Sequence, residues 1–152
     1  MRYLKDLGAP VPRSFQTAAG YALNAEVRSV LSEGQPDRDR LQVIMQEVQT
    51  WGVQLDAPAL AFAYNRAVEA MARDVRENPM DLELLGRLDA MVALRELLPF
   101  EVELWTSQNA CYRLLMDLYP ALNEQAAGGD EVARAWVEQF RRLAEHLSIR
   151  VD

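Results

Sequence analysis

Apolar residues recur at intervals of three and four along nearly the whole chain of 152 residues. This period is that of an α-helix with one buried face, whereas a half-buried strand alternates apolar and polar residues. The clearest apolar row lies near the C-terminus and consists of Val132, Trp136, Phe140, Leu143 and Leu147. No segment shows the alternation of a strand. The pattern therefore favours an all-α fold in which helix faces are buried against one another.

Helix caps and helix breakers divide the chain into segments with short connections. Ser, Asp and Pro residues mark helix starts, and Gly and Pro residues mark helix ends. They predict helices over residues 14–32, 37–51, 57–78, 81–98, 105–119 and 130–147. Pro120 either ends the fifth helix or bends it, in which case the helix continues to Ala127. With a short helical turn at Arg2–Leu7, residues 1–152 are predicted to form a single-domain bundle of about six helices.

The segment Leu98–Tyr112 is unusual because, taken as a helix, it has two faces that could be buried. The first is an ordinary apolar row that consists of Leu104, Cys111, Leu115 and Leu118. The second follows the spacing i, i+3, i+4 and i+7 and consists of Trp105, Gln108, Asn109 and Tyr112. A helix in a small bundle needs only one buried face. The second face therefore predicts a partner, which is a missing domain, another chain or a ligand.

The second face suits either a sugar or a protein surface. The apolar side of a pyranose packs on an aromatic ring, and the side chains of Gln and Asn offer donors and acceptors to the hydroxyls. Alternatively, the four residues form a semi-polar seam between helices, with the amides satisfied by backbone groups at neighbouring helix ends. Trp51 and Trp136 are interpreted as ordinary anchors of the core or of helix ends.

Charge and hydropathy exclude several classes of function. The net charge of −7 argues against a nucleic-acid partner, which requires a basic surface. Residues 1–76 contain equal numbers of basic and acidic side chains, so the net negative charge belongs to residues 77–152, where we expect a solvated acidic face. No run approaches about 18 consecutive apolar residues, and no signal-peptide pattern is present. We therefore expect a cytoplasmic protein with no membrane contact.

Few residues of the types that catalyse reactions or bind metals are present. With one cysteine, Cys111, and one histidine, His146, the chain can form neither an internal disulfide nor a Cys/His zinc site. Cys111 is predicted to be buried, and His146 to lie at the negative end of the last helix. The acidic pairs Glu101/Glu103 and Asp81/Glu83 are spaced by two, so on a helix their side chains diverge. We expect no metal or other cofactor and assign no catalytic residue to this chain.

Three segments resemble a known family. They are Leu98–Trp105 continuing to Gln108-Asn109, Tyr3–Gly8 continuing to Pro12, and Ala18–Asn24. Together they are similar to the helical C-terminal domain of unknown function in some bacterial family 57 glycoside hydrolase proteins. The resemblance extends over nearly the whole chain, and its sharpest element is the Leu-Trp-x-x-Gln-Asn pattern.

The resemblance implies a non-catalytic accessory domain excised from the C-terminal part of a larger protein. In that family the hydrolytic carboxylates belong to an upstream (β/α) barrel that acts on α-glucans, and the helical region packs on the barrel and can contribute to the sugar cleft. The matching residues Trp105, Gln108 and Asn109, together with Tyr112, would then contact the barrel or an oligosaccharide. The alternative is a stand-alone helical module that forms a homodimer or binds another protein chain through the same face.

Overall fold

The computed structural model describes residues 13–151. Within this range seven α-helices follow one another: α1 (Arg13–Ser32), α2 (Arg38–Trp51), α3 (Ala57–Glu77), α4 (Leu82–Ala93), α5 (Trp105–Asp117), α6 (Tyr119–Ala127) and α7 (Glu131–His146). A 3₁₀ turn, Leu94–Leu97, follows α4. No strand occurs in residues 13–151, so the prediction of an all-α bundle is confirmed. The helical turn predicted at Arg2–Leu7 lies outside the described residues.

Side-chain caps begin four helices where the sequence predicted them. Asp37, Asp56, Asp81 and Asp130 accept backbone N–H bonds at the starts of α2, α3, α4 and α7. These bonds satisfy donors that have no partner within the helix. Gly52 ends α2 with a φ of 61°, a left-handed conformation that disfavours residues with a Cβ atom.

The segment between α4 and α5 corrects one prediction. Helix α4 ends at Ala93, and residues 98–104 are not helical. Pro99 restricts the residue before it to extended backbone, and Leu98 accordingly has a φ of −84° and a ψ of 129°. The helix predicted over residues 81–98 therefore ends early, whereas the predicted start of α5 at Trp105 is confirmed, and residues 98–104 of the segment Leu98–Tyr112 do not belong to that helix. Glu101 and Glu103 lie in this connection and not on a helix.

The number of helices differs from the prediction because the chain breaks near Pro120. Helix α5 ends at Asp117, and Pro120 occupies the first turn of a separate helix, α6. Proline lacks the N–H that a helix interior needs but is tolerated in the first turn, where that group has no helical partner. The break produces seven helices in the described residues where about six were predicted.

Helix α3 occupies the centre of the bundle, where it packs against α1, α4 and α5. Tyr64, in the middle of α3, is fully buried. Its hydroxyl donates to the carbonyl oxygens of Met91, at 3.0 Å, and Val92, at 3.3 Å. Burial raises the pKa of Tyr64, because the phenolate would lose its hydration. The neutral hydroxyl thus ties the centre of α3 to the end of α4.

The start of α3 is attached to α1 through Asn24. The Nδ2 group of Asn24 donates to the carbonyl oxygens of Gly20, at 2.8 Å, and Gln54, at 3.2 Å. Its Oδ1 atom accepts from the backbone N–H of Asp56 at 2.7 Å. One amide side chain therefore holds α1, the loop after α2 and the N-terminal cap of α3 together.

Trp136 on α7 anchors the other half of the core, as predicted. Its side chain is fully buried, its indole N–H donates to the carbonyl oxygen of Pro79 at 2.8 Å, and its ring stacks on Phe140.

The prediction that Val132 belongs to the same buried row is wrong, since Val132 is 66% exposed and Ala133 is buried instead. At about 100° per residue, Val132 lies about 80° from the centre of the buried face.

A polar contact that the sequence analysis missed joins α4 to α7. Asp89 is a buried carboxylate, and its Oδ2 atom accepts from Nε2 of Gln139 at 2.9 Å. His146 lies in the last turn of α7, as predicted, and its Nδ1 atom is 2.6 Å from Oδ1 of Asp89. Hydrogen bonds thus satisfy both oxygens of this buried acid, as buried charges require.

We expect Tyr64→Phe to lower the free energy of unfolding by about 1 kcal/mol, because the substitution removes a buried hydrogen bond without emptying the site. Urea unfolding followed by circular dichroism measures the change. Tyr21→Phe is the matched control, since Tyr21 is exposed on α1. Equal stability of the Tyr64→Phe and native proteins would contradict the assigned role.

We expect Ser107→Ala to raise the free energy of unfolding by about 1 kcal/mol. Ser107 on α5 is fully buried, and its hydroxyl has no hydrogen-bond partner among the described residues. The exposed helical residue Ser32 provides the control for the difference in helix propensity between Ser and Ala. Thermal unfolding measures the change in stability for both variants. If Ser107→Ala raises the stability no more than Ser32→Ala does, the buried hydroxyl is not destabilising.

We expect the Cys111 thiol to resist labelling until the protein unfolds. Cys111 is buried, as predicted, and burial raises its pKa to about 12, so the reactive thiolate is scarce at neutral pH. Its rate of reaction with a disulfide reagent at about pH 8 should follow global unfolding. Labelling of the native protein at the rate of a free thiol would refute this expectation.

Candidate functional site

Helix α5 carries an exposed aromatic face. Its buried side consists of Ser107, Ala110, Cys111 and Leu114. Trp105 and Tyr112 lie on the opposite side and are 73% and 57% exposed. At about 100° per residue, Met116 lies within about 40° of both, and it too is exposed. The described bundle therefore leaves three large apolar side chains uncovered along one helix.

A groove runs between this face of α5 and the outer side of α3. Its volume is about 630 Å³, within the range of ligand-binding clefts. Helix α3 contributes Glu69, Ala72, Arg73 and Arg76, and helix α5 contributes Trp105, Thr106, Asn109, Ala110, Tyr112 and Arg113. We call this the α3–α5 groove.

The structure brings together three of the four residues predicted to form a site. Trp105, Asn109 and Tyr112 line the α3–α5 groove. Gln108 lies on the other side of α5, where its Nε2 group donates to the carbonyl oxygen of Leu147 at 3.2 Å. Leu147 caps the C-terminus of α7. Gln108 thus forms the contact with a neighbouring helix end that the sequence analysis considered as the alternative for both amides.

The connection before α5 positions the groove. The backbone N–H of Glu103 donates to Oδ1 of Asn65 on α3 at 3.2 Å. Leu98 and Leu104, at the two ends of this connection, are buried in the core. These contacts attach the start of α5 to the middle of α3, so Trp105 emerges beside the outer side of that helix.

Sequence analysis missed three arginines of the site. Arg73, Arg76 and Arg113 line the groove, are exposed, and form no hydrogen bond or ion pair with another described residue. The only acidic residue of the described chain that lines the groove is Glu69. Arg113 follows Asn109 by four residues, so helical spacing alone could have identified it. Arg73 and Arg76 join the site only because α3 packs against α5.

Arginine, amide, hydroxyl and aromatic side chains dominate the lining of the groove. Among the described residues, its lining contains neither a carboxylate pair nor a nucleophile beside a base, the groups that hydrolytic chemistry uses. Cys111 is buried below the groove, and His146 is engaged with Asp89. Within residues 13–151 no group of three His, Cys, Asp or Glu side chains is arranged to hold a metal ion.

The same described range contains no helix that is long and apolar enough to cross a membrane. The chain matches no protein-family model, no curated protein sequence and no solved structure.

Proposed function

We propose that this chain is a non-catalytic helical domain that docks on another protein domain through the α3–α5 groove. Following the family resemblance, the proposed partner is the catalytic barrel of a cytoplasmic, bacterial family 57-like glycoside hydrolase that acts on α-glucans. The alternative within the same proposal is a stand-alone module that binds a separate protein chain.

The exposure of Trp105 is the observation that supports docking most strongly. A tryptophan that is 73% exposed leaves a large apolar area in water. Tryptophan and arginine are the residues most enriched among those that contribute strongly to protein–protein binding. Here Trp105, Tyr112 and Arg113 lie on one helix face, and Met116 extends that face by one turn.

A protein partner is favoured over a sugar because only one of the two predicted amides is free to bind a ligand. Gln108 is engaged with Leu147, whereas Asn109 is exposed and its amide has no hydrogen-bond partner in the described range. The Asn109 amide and the Trp105 ring both line the groove. This combination supports an oligosaccharide as the second candidate ligand, bound at the edge of the sugar cleft.

We expect the polypeptide that carries this sequence in its source cells to be several times heavier than the 17.2 kDa of this chain. An immunoblot of the cell lysate with an antibody against the chain measures its mass. A band at 17.2 kDa would reject the accessory-domain proposal and favour the stand-alone module.

We expect Trp105→Ala to weaken docking by about 1–3 kcal/mol, the cost of truncating a buried aromatic anchor. In the heavier polypeptide, the domains are separated by limited proteolysis and their association is measured by gel filtration and calorimetry. Phe62→Ala is the matched control, because Phe62 on α3 is 66% exposed but lies outside the groove. Equal effects of the two substitutions, or no effect of either, would contradict docking through the groove.

A further inference from the structure

The lining of the α3–α5 groove is basic although the chain as a whole is acidic. Arg73, Arg76 and Arg113 line the α3–α5 groove, opposed there by Glu69 alone among the described residues. A second groove, between α1 and α3, is lined by Arg28 and Arg66 and by no acidic residue in the described range. The net charge of the chain is −7. The described linings of both grooves are therefore net basic, although α3 itself carries three acidic residues, Glu69, Asp74 and Glu77, against its three arginines.

These five arginines have no hydrogen-bond or ion-pair partner among the described residues, whereas several other arginines of the bundle do. Arg38 and Arg40 form ion pairs with Glu96 and Glu33. Arg87 and Arg141 donate hydrogen bonds to Gly34 and to Tyr119 and Asn123. None of the five arginines beside α3 forms a hydrogen bond or ion pair with a described residue, and the one contact of Arg66 is with the ring of Phe62 at 6.0 Å.

Like charges disfavour the pairing of two copies of this surface. A two-fold dimer centred on the groove would bring the same patch of each copy together. Arg73, Arg76 and Arg113 of one copy would then approach the same three arginines of the other, with Glu69 as the only nearby acid of each lining. Like charges that face each other across an interface are costly and suppress such a partner.

We propose that the α3–α5 groove selects an acidic segment of the protein domain that docks there, whose carboxylates pair with Arg73, Arg76 and Arg113 while an apolar side chain packs on Trp105. This inference rests on the proposed docking function and specifies the chemistry of the partner. Guanidinium groups bind carboxylates through paired hydrogen bonds. An apolar side chain packed on Trp105 adds a hydrophobic contact, which ion pairs alone do not provide. A partner of opposite charge also associates faster, in a manner that salt weakens.

The test is a selection of random dodecapeptides, displayed on phage, against the full chain. We expect selected peptides to be enriched in Asp and Glu over the starting library, despite the net negative charge of the chain. Individual synthetic peptides are then titrated by fluorescence anisotropy. Raising the salt from about 50 to about 300 mM NaCl should weaken binding several-fold.

Variants assign the binding to the groove. The double charge reversal Arg73→Glu/Arg76→Glu should weaken acidic peptides by about tenfold or more. The control is Arg134→Glu, because Arg134 is also exposed, its side chain forms no hydrogen bond or ion pair with another described residue, and it lies on α7. Circular dichroism verifies that each variant folds. Trp105→Ala should also weaken the same peptides.

The outcomes separate this inference from the docking proposal. Peptides that lose affinity with Trp105→Ala, but are not enriched in acids and bind equally well at both salt concentrations, would overturn the acidic partner and leave docking through the groove intact. Acidic peptides that respond equally to Arg134→Glu and to the double reversal would overturn the assignment to the groove. A selection that yields no binding peptide would overturn the inference as well. So would a titration in which a maltooligosaccharide binds the chain more tightly than every selected peptide.

Discussion

The burial of Tyr64 at the centre of α3 is the interaction on which the arrangement of the bundle depends. Its hydroxyl bonds to the carbonyl oxygens of Met91 and Val92 at the end of α4, and the side of α3 that carries Tyr64 faces the core together with Leu60, Val68 and Met71. The opposite side then becomes a solvent-exposed ridge, because α1 and α5 pack beside it and leave grooves on its two flanks. The candidate site is thus a consequence of how α3 is oriented.

The site itself depends on two adjacent helices that are not consecutive in the chain. Helix α5 presents Trp105 and Tyr112 because its other side is buried, and the bond from Glu103 to Asn65 sets it beside α3. Aromatic rings from one helix therefore meet guanidinium groups from the other. Both proposals use this one surface: docking depends on the exposed rings, and the choice of an acidic partner depends on arginines that the bundle leaves unpaired.

Helical periodicity and capping predicted the fold well where the determinants are local. The starts of α2, α3 and α7 follow from Asp37, Asp56 and Asp130, since a carboxylate that accepts the first N–H groups acts within four residues. Prolines were identified as breakers, but their outcome was not predictable. Pro120 was predicted either to end a helix or to bend it, and in the structure it stands in the first turn of a new helix, in which Tyr119 is buried.

The sequence by itself determined that the chain is helical and that Trp105, Asn109 and Tyr112 share one helix face, because these properties follow from spacing along a single helix. Tertiary structure decided the rest. It assigned Gln108 to the end of α7, left Val132 in solvent and brought Arg73 and Arg76 to the aromatic face. Each of these results depends on which helices are neighbours, and neighbours are set by long-range packing that no local pattern encodes.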